Sequence, residues 1–220
     1  MTILLEELGV EYDAWKISIM EQKQFTSGFV KVNPNSKIPA MYDYGVDESE
    51  AIRVFESGSI LLYLSEKFGG KFMPKDLRGK TECINWLMWQ MGSAPSIGGG
   101  FGHFYKYAPI KIQYGIDRFS MEAKRLLDVL DQHLASGDKM FICGDEYTIA
   151  DMAIFPWIEC FDTGYNAATF LQLDSYKHVL KWRMRLKDRK AVQRGMRVNG
   201  FGSNALAERH SKEDFAPEDY

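Results

Sequence analysis

The sequence is poor in the residues that build disulfide and metal sites. It has three cysteines in 220 residues, with no Cys-x-x-Cys pair, and four histidines with no His-x-x-x-His pair. This spacing argues against a disulfide framework, a structural metal site and a metal enzyme. Unpaired thiols are also typical of a reducing compartment, so the sequence predicts a cytoplasmic protein without a metal cofactor.

Long apolar runs and an excess of charge are absent as well. The longest apolar stretches, residues 60–64 and 152–158, fall well short of the roughly 20 residues that a membrane span needs. With 30 acidic and 27 basic side chains, the formal charge is −3, which excludes nucleic-acid binding by bulk charge. No basic and apolar leader opens the chain. We therefore expect a soluble protein whose partners include neither a membrane nor nucleic acid.

The first third of the chain has the pattern of a mixed α/β domain. The predicted order is helix 2–8, strand 11–19, a polar loop, strand 36–43, strand 51–55 and a helix capped by Ser57 that ends at two glycines, 69 and 70. The opening helix has no capping residue and no strand before it. Two interpretations follow, a domain that starts with a helix and a domain whose first strand is missing.

Beyond residue 80 the apolar periodicity is helical throughout. Segments 81–91, 110–134, 148–163 and 175–186 show helical spacing, and no strand pattern is found. We predict a domain over residues 1–70, a linker over 71–80, and an all-helical domain over 81–220 that ends in a polar tail. The predicted fold class is therefore α/β plus all-α.

Three glycines at 98–100 precede an aromatic segment that contains Phe101, His103 and Tyr105. The run is not a phosphate-binding loop, because it lacks the Lys-Ser/Thr ending and follows no strand. We predict a flexible loop between two long helices. The loop either packs in the core or forms the wall of an apolar ligand pocket, and the sequence leaves both interpretations open.

Glu56 and Ser57 lie where a helix is predicted to begin. Unpaired N–H groups and a positive dipole end can hold a carboxylate there, although simple helix capping accounts for the same residues. Just upstream, Lys37 and Ile38 precede Pro39, and the Ile38–Pro39 bond is a candidate for the cis form. A proline-led strand leaves the backbone of Ile38 free to pair with an extended chain, so the predicted ligand is peptide-like.

Thr148 and Asp151 have the spacing of a capping box, and we predict a structural role for both. No Ser-His-Asp or Cys-His arrangement indicates a nucleophile in this sequence. The residues alone therefore assign no catalytic side chain.

Three motifs resemble those of glutathione transferases. They occupy residues 33–40 (NPNSKIPA), 54–64 (VFESGSILLYL) and 147–152 (YTIADM). Residues 24–25, 99–105 and 176–179 further resemble the bacterial Nu class of glutathione-dependent disulfide-bond reductases, which is related to the yeast nitrogen-regulator prion protein. The similarity extends from residue 1 to about residue 215. It implies a thioredoxin-like N-terminal domain, an all-helical C-terminal domain, a homodimer, and a glutathione site in the cleft between domains.

The resemblance also implies residue roles. Ile38 beside Pro39 corresponds to a backbone clamp on the cysteinyl unit of glutathione, and Glu56 and Ser57 correspond to residues that hold its γ-glutamyl end. Residues matching the glutathione contacts of the class are Gln24, Lys37, Ile38, Pro39, Glu56, Ser57 and Arg118, and those expected to line a pocket for the second substrate are Phe101, His103 and Tyr105.

The implied chemistry is an attack by the sulfur of glutathione, as co-substrate, on a small disulfide or electrophile, while the cysteines of the chain take no part. In this class a first strand and a Thr-Pro-Asn loop that stabilises the sulfur precede the opening helix. No residue of this sequence matches that loop, so the catalytic residue stays unassigned. The alternative is a non-catalytic binding or dimerisation module with the same fold.

Overall fold

The computed structural model describes residues 1–45 and 51–200, and it divides into two compact units. One unit comprises Met1–Lys71 and the chain from Arg189 onward, and the other comprises Phe72–Asp188. The described strands are β1 (Ala40–Asp43) and β2 (Ile52–Phe55). The helices are α1 (Thr2–Leu8), α2 (Ser27–Val32), α3 (Ser57–Lys67), α4 (Leu77–Pro95), α5 (Gln113–Ala135), α6 (Ile149–Thr163), α7 (Ala168–Leu171), α8 (Lys177–Lys187) and α9 (Lys190–Gly195).

The first unit is built on a β-hairpin. β1 and β2 pair antiparallel, with Ala40 opposite Phe55 and Asp43 opposite Ile52, which confirms the predicted pair of strands. α3 follows β2 directly and buries one apolar face, as its spacing predicts. The carboxylate of Asp43 accepts hydrogen bonds from Lys67 and Tyr63 of α3. These bonds tie the end of β1 to the helix and fix the direction in which α3 leaves the sheet.

The strand predicted over residues 11–19 is wrong. Residues 10–18 have no regular secondary structure, and the side chain of Trp15 is 76% exposed. Alternating apolar residues form a strand only where a neighbouring strand accepts and donates the backbone hydrogen bonds, and no described residue does so here. The predicted polar loop that follows contains a short 3₁₀ helix, Lys23–Phe25, and α2.

The last described helix packs against the first. The hydroxyl of Thr2 donates to the carbonyl of Gly195 at 2.7 Å, and the guanidinium of Arg189 forms two bonds to the carboxylate of Glu7. A Cβ at position 195 would lie 2.6 Å from the backbone of Ile3, so glycine permits this contact between α1 and α9. The limits 1–70, 71–80 and 81–220 remain a prediction.

The second unit is all-helical within the described residues, and the predicted fold class, α/β plus all-α, is confirmed. The buried residues of α5 follow a helical spacing and are Gly115, Ile116, Ser120, Ala123, Leu126, Leu127, Leu130 and Leu134. α6 starts at the predicted capping box, with Thr148 as the N-cap and Asp151 at the third helical position. None of the helices described here is both long and apolar enough to cross a bilayer.

The predicted flexible loop after α4 is instead a π-helix, Ser96–Tyr107. A Cβ at Gly100 would lie 2.3 Å from the ring of Phe119, and one at Gly102 would lie 2.5 Å from the ring of Tyr165. The glycines therefore admit aromatic rings from α5 and from the chain after α6 against the helix backbone. Their role is close packing, which a count of glycines in the sequence does not distinguish from flexibility.

Candidate functional site

The hairpin register brings two of the predicted segments to one end of the sheet. Because Ala40 pairs with Phe55, the residue before Ala40 and the residue after Phe55 lie at the same end. These residues are Pro39 and Glu56. Lys37 and Ile38 thus approach the sheet where Ser57 begins α3, although 17 positions separate Pro39 from Glu56 in the sequence.

Ile38 offers an unpaired stretch of backbone at this end. Its side chain is 51% exposed, and its N–H and C=O make no hydrogen bond to any residue that the structure describes. The Ile38–Pro39 peptide bond is cis. One free donor and one free acceptor on the same residue are what an extended chain needs to add beside a strand.

The start of α3 supplies the second part of the site. The predicted cap at Ser57 is wrong, because Ser57 is the first residue of α3 and Glu56 is the N-cap, with φ 69° and ψ 122°. No side chain of the described residues caps α3. The N–H groups of Gly58 and Ser59 therefore have no acceptor in the described part of the chain. Together with the positive end of the helix dipole, these donors suit a carboxylate.

Charged groups of both signs flank this helix start. Glu56 is exposed and carries a carboxylate, while Ser57, which is half-buried, brings a hydroxyl. A ligand with a free α-amino acid group could place its carboxylate on the helix amides and its ammonium on Glu56. Lys37, which is exposed and precedes Ile38, adds a cation.

Charged and hydrogen-bonded contacts of Asp43 hold α3, the helix that carries these donors. Burial alone would raise the pKa of Asp43, but hydrogen bonds from Lys67, Tyr63 and the N–H of Gly45 hold that pKa below its ordinary value. Burial and the bond to Asp43 raise the pKa of Tyr63 to about 12. Asp43 is therefore ionised and Tyr63 neutral near pH 7, as this contact between β1 and α3 requires.

Asn33 shapes the approach to Ile38, a role that was not predicted from the sequence. Its side chain is buried, its amide donates to the carbonyl of Lys37 at 2.7 Å, and its Oδ1 accepts from the N–H of Asn35 at 2.9 Å. The two bonds fold residues 33–37 into a compact loop. The signal was present, because an asparagine before a proline commonly bonds the backbone two residues onward.

Gln24 lies apart from the contacts described above. It is the middle residue of the 3₁₀ helix, and its Oε1 is buried without a partner among the described residues. The structure gives no hydrogen bond between Gln24 and the end of the hairpin. A role for Gln24 in ligand binding therefore remains a prediction.

The other predicted site residues belong to the second unit. Arg118 extends from α5, is about half exposed, and lies 3.8 Å from Glu122. Phe101 is fully buried, with Tyr105 stacked on it at 4.9 Å between ring centroids. His103 is exposed. The assignment of the three aromatic residues to a substrate pocket stays a prediction, as does the role of Arg118.

No metal centre is found within residues 1–45 and 51–200. These residues contain no group of three or more His, Cys, Asp or Glu side chains placed to hold an ion. The chemistry available at the end of the hairpin is thus recognition of an extended ligand by backbone groups and of an amino-acid head by a helix start.

Family comparisons identify both parts of the chain. The model of the glutathione S-transferase N-terminal domain matches residues 1–67, and that of the C-terminal domain matches residues 113–185. Among curated proteins, the disulfide-bond oxidoreductase YghU of Escherichia coli is 58% identical over 226 residues, covering 98% of this chain and 77% of that protein. The disulfide-bond oxidoreductase YfcG of the same organism is 36% identical, over 87% of this chain and 86% of that protein.

Solved structures give the same result. A glutathione transferase YghU from Streptococcus pneumoniae, complexed with glutathione, superposes with a TM-score of 0.82 at 51% identity, over 88% of this chain and 76% of that one. A glutathione transferase from Pseudomonas putida, with one glutathione disulfide bound per subunit, superposes with a TM-score of 0.84 at 36% identity. That match covers 90% of this chain and 86% of the other.

Proposed function

Because this chain belongs to the glutathione S-transferase family, we propose that it is a glutathione transferase with glutathione-dependent disulfide-bond reductase activity. The observation that carries the proposal is the end of the β-hairpin, where the unpaired backbone of Ile38 lies beside the uncapped start of α3. Such a site fits a tripeptide with a free amino-acid head. The disulfide-bond oxidoreductases among the relatives support the reaction.

Different residues of the first unit contact different parts of the tripeptide. The N–H and C=O of Ile38, next to Pro39, bond the cysteinyl unit of glutathione in the manner of a strand pair. The γ-glutamyl carboxylate lies on the N–H groups of the first turn of α3 and on the hydroxyl of Ser57, while Glu56 accepts from its ammonium. Lys37 and Gln24 contribute polar groups to the same ligand.

The family resemblance assigns roles to four further residues. Arg118 binds glutathione through its guanidinium, and Phe101, His103 and Tyr105 form the aromatic environment of the second substrate. Tyr105 and His103 have exposed surface for that purpose, whereas Phe101 acts from beneath Tyr105, which stacks on it. An apolar environment of this kind selects a substrate by shape and contact area.

The proposed reaction consumes two glutathione molecules for each disulfide. The thiolate of the first attacks one sulfur of the substrate, the substrate S–S bond breaks, and the second half leaves as a thiolate that takes up a proton. A second glutathione thiolate then attacks the glutathione sulfur of the mixed disulfide. Glutathione disulfide forms, and the other half of the substrate leaves as a thiol. The group of the protein that stabilises the attacking thiolate is not assigned.

Three broader properties belong to the same proposal. The protein functions as a homodimer, as is common among enzymes of this architecture, and it acts in the cytoplasm, where glutathione keeps thiols reduced. Its domains correspond to residues 1–70 and 81–220, joined by a linker over 71–80. The free state of all three cysteines agrees with a reducing location.

Steady-state kinetics with glutathione and a small disulfide, such as bis(2-hydroxyethyl) disulfide, test the proposal. The wild-type chain should oxidise glutathione at a rate proportional to enzyme concentration. Ser57→Ala removes a hydrogen bond to a charged group, so KM for glutathione should rise about 10-fold or more. Ser59→Ala, an exposed position two residues along α3, is the matched control and should leave KM unchanged. The proposal fails if the wild type shows no turnover, or if both variants behave alike.

A further inference from the structure

Two side chains on one face of the β-hairpin meet the end of α2. Tyr42 and Arg53 lie directly opposite each other in β1 and β2, so their side chains project from the same face of the sheet. Nη1 of Arg53 donates a hydrogen bond to the carbonyl of Lys31 at 3.0 Å, and the hydroxyl of Tyr42 donates to the same oxygen at 3.4 Å. Lys31 belongs to the last turn of α2, so both bonds hold the C-terminal end of that helix.

α2 and α3 are held by opposite faces of the hairpin. Successive side chains of a strand point to alternate faces of the sheet. Tyr42 bonds to α2, whereas the next residue, Asp43, accepts hydrogen bonds from Tyr63 and Lys67 of α3. The contacts that fix α2 are therefore separate from those that fix α3 and the donors at its start.

α2 is too short to be stable by itself. It has six residues, of which only Phe29 is buried, and an isolated helix of this length does not persist in water. The carbonyl of Lys31 lies at the helix end where carbonyls lack intrahelical partners and the dipole is negative. A cationic donor such as Arg53 suits this oxygen on both counts. Its bond to Lys31 is thus a principal tie between α2 and the hairpin.

Both ends of α2 lead into segments of the proposed glutathione site. Thr26, the N-cap of α2, also ends the 3₁₀ helix that contains Gln24. Asn33 is the C-cap of α2, and its side-chain amide donates to the carbonyl of Lys37 at 2.7 Å, next to Ile38. A displacement of α2 therefore moves Gln24 and the backbone of Ile38 together.

We propose that Arg53 is a positioning residue for glutathione binding, because its bond to Lys31 holds α2 on the hairpin and thereby places Ile38 and Gln24 for the ligand. Arg53 acts through α2 rather than by contact with glutathione. The inference rests on the proposed function and deepens it. Since α3 is held from the other face, loss of Arg53 weakens the contacts at Ile38 and leaves those at the start of α3 in place. Glutathione then binds more weakly, but bound glutathione reacts as before.

Steady-state kinetics with glutathione and bis(2-hydroxyethyl) disulfide test this role. Arg53→Met keeps the alkyl chain and removes the donor, so KM for glutathione should rise about 5-fold while kcat changes by less than about 2-fold. Arg53→Lys keeps a cationic donor and should recover most of the loss. Arg78→Met, which removes an exposed arginine of α4, is the matched control and should keep the wild-type KM. An unchanged KM in Arg53→Met would overturn the proposal. So would a fall in kcat at constant KM, which a purely structural role would give.

Hydrogen–deuterium exchange of the unliganded protein tests the positioning step separately. Amides of residues 27–38 should exchange faster in Arg53→Met than in the wild type, whereas amides of residues 57–67 should exchange alike in both. Equal exchange over 27–38 would contradict the proposal even if KM rises. Absence of turnover in the wild type would contradict the proposed function instead. In that case the exchange data, together with calorimetric titration of both proteins with glutathione, still decide whether Arg53 holds α2 and whether binding depends on it.

Discussion

Asp151 shows how much a single buried residue organises in the second unit. It is fully buried at the start of α6, and its carboxylate accepts bonds from the N–H of Ile142, the indole of Trp182, and both the N–H and the hydroxyl of Thr148. The residue thus joins the turn before α6, the cap of α6 and the core of α8. Its place in a capping box was predictable from sequence, but the bonds to Ile142 and Trp182 were not, since both are formed by the tertiary fold.

Replacement of Asp151 should therefore destabilise the protein strongly. Asp151→Ala leaves four buried donors without an acceptor, and we expect a loss of about 3 kcal/mol or more in the free energy of unfolding. Urea denaturation followed by circular dichroism measures the loss. Asp145→Ala, at an exposed position in the same connection, should change the free energy by less than about 0.5 kcal/mol. Similar losses for the two variants would contradict this role.

Asn33 should matter for ligand binding without touching the ligand. Asn33→Ala removes the bond to the carbonyl of Lys37 and releases the loop that leads to Ile38. Glutathione affinity should fall about 10-fold, which corresponds to about 1.4 kcal/mol. Isothermal titration calorimetry is the measurement. Asn35→Ala keeps its own backbone N–H and has an exposed side chain, so it should bind as the wild type does. Equal glutathione affinities in the wild type, Asn33→Ala and Asn35→Ala would show that Asn33 does not contribute to binding.

At the scale of elements, sequence patterns predicted the helices and strands whose formation depends mainly on residues close by in the sequence. The hairpin and α3 follow from two short apolar runs and a helix start. β2 and α3 begin within one residue of their predicted starts, whereas β1 begins four residues later than predicted, after Pro39. The strand over 11–19 failed because a strand depends on its neighbour. The π-helix was predicted as a flexible loop for a related reason. The rings that pack on its glycines come from α5 and from beyond α6, which are distant in the sequence.

The π-helix provides a matched pair of glycine substitutions. Gly100→Ala places a Cβ 2.3 Å from the ring of Phe119 and should cost about 2 kcal/mol by overpacking. At Gly99 a Cβ would meet nothing within 4 Å, so Gly99→Ala should stabilise the chain by about 0.5 kcal/mol through the entropy of the unfolded state. Thermal and urea unfolding measure both. If both alanines stabilise, the close contact with Phe119 is not present in solution.

At the scale of the whole molecule, the two units carry separate chemistry. The first unit holds the unpaired backbone of Ile38 and the start of α3, and the second holds the buried hydrogen bonds of Asp151. Motif spacing found the first site because both of its segments are short and contiguous. It could not find the second, since Ile142 and Trp182 reach Asp151 only through the tertiary fold. The roles of Gln24 and Arg118 came from family resemblance alone.

Mild acidification should lower the stability of the whole molecule, because His133 becomes protonated. Burial lowers the pKa of this imidazole from its ordinary value of 6.5, and the ring packs on Trp86 at 4.1 Å between centroids. The unfolded chain therefore takes up a proton before the folded chain does, so stability is highest above about pH 6.5 and is lost as the pH falls from there towards the folded pKa. His133→Gln removes this titration.

Unfolding free energies at about pH 7.5 and about pH 5.5 measure the effect. The wild type should lose more stability between the two values than His133→Gln, by at most about 1.4 kcal/mol for each unit of pKa shift. His103→Gln, at an exposed imidazole, should show the wild-type dependence. Parallel curves for wild type and His133→Gln would show that His133 does not contribute.

A crystal structure of the chain with saturating glutathione tests the central claim most directly. The account predicts an extended tripeptide whose cysteinyl backbone pairs with the N–H and C=O of Ile38 and whose γ-glutamyl carboxylate lies on the N–H groups that begin α3. Glutathione bound elsewhere, or bound at this end without either set of contacts, would contradict it.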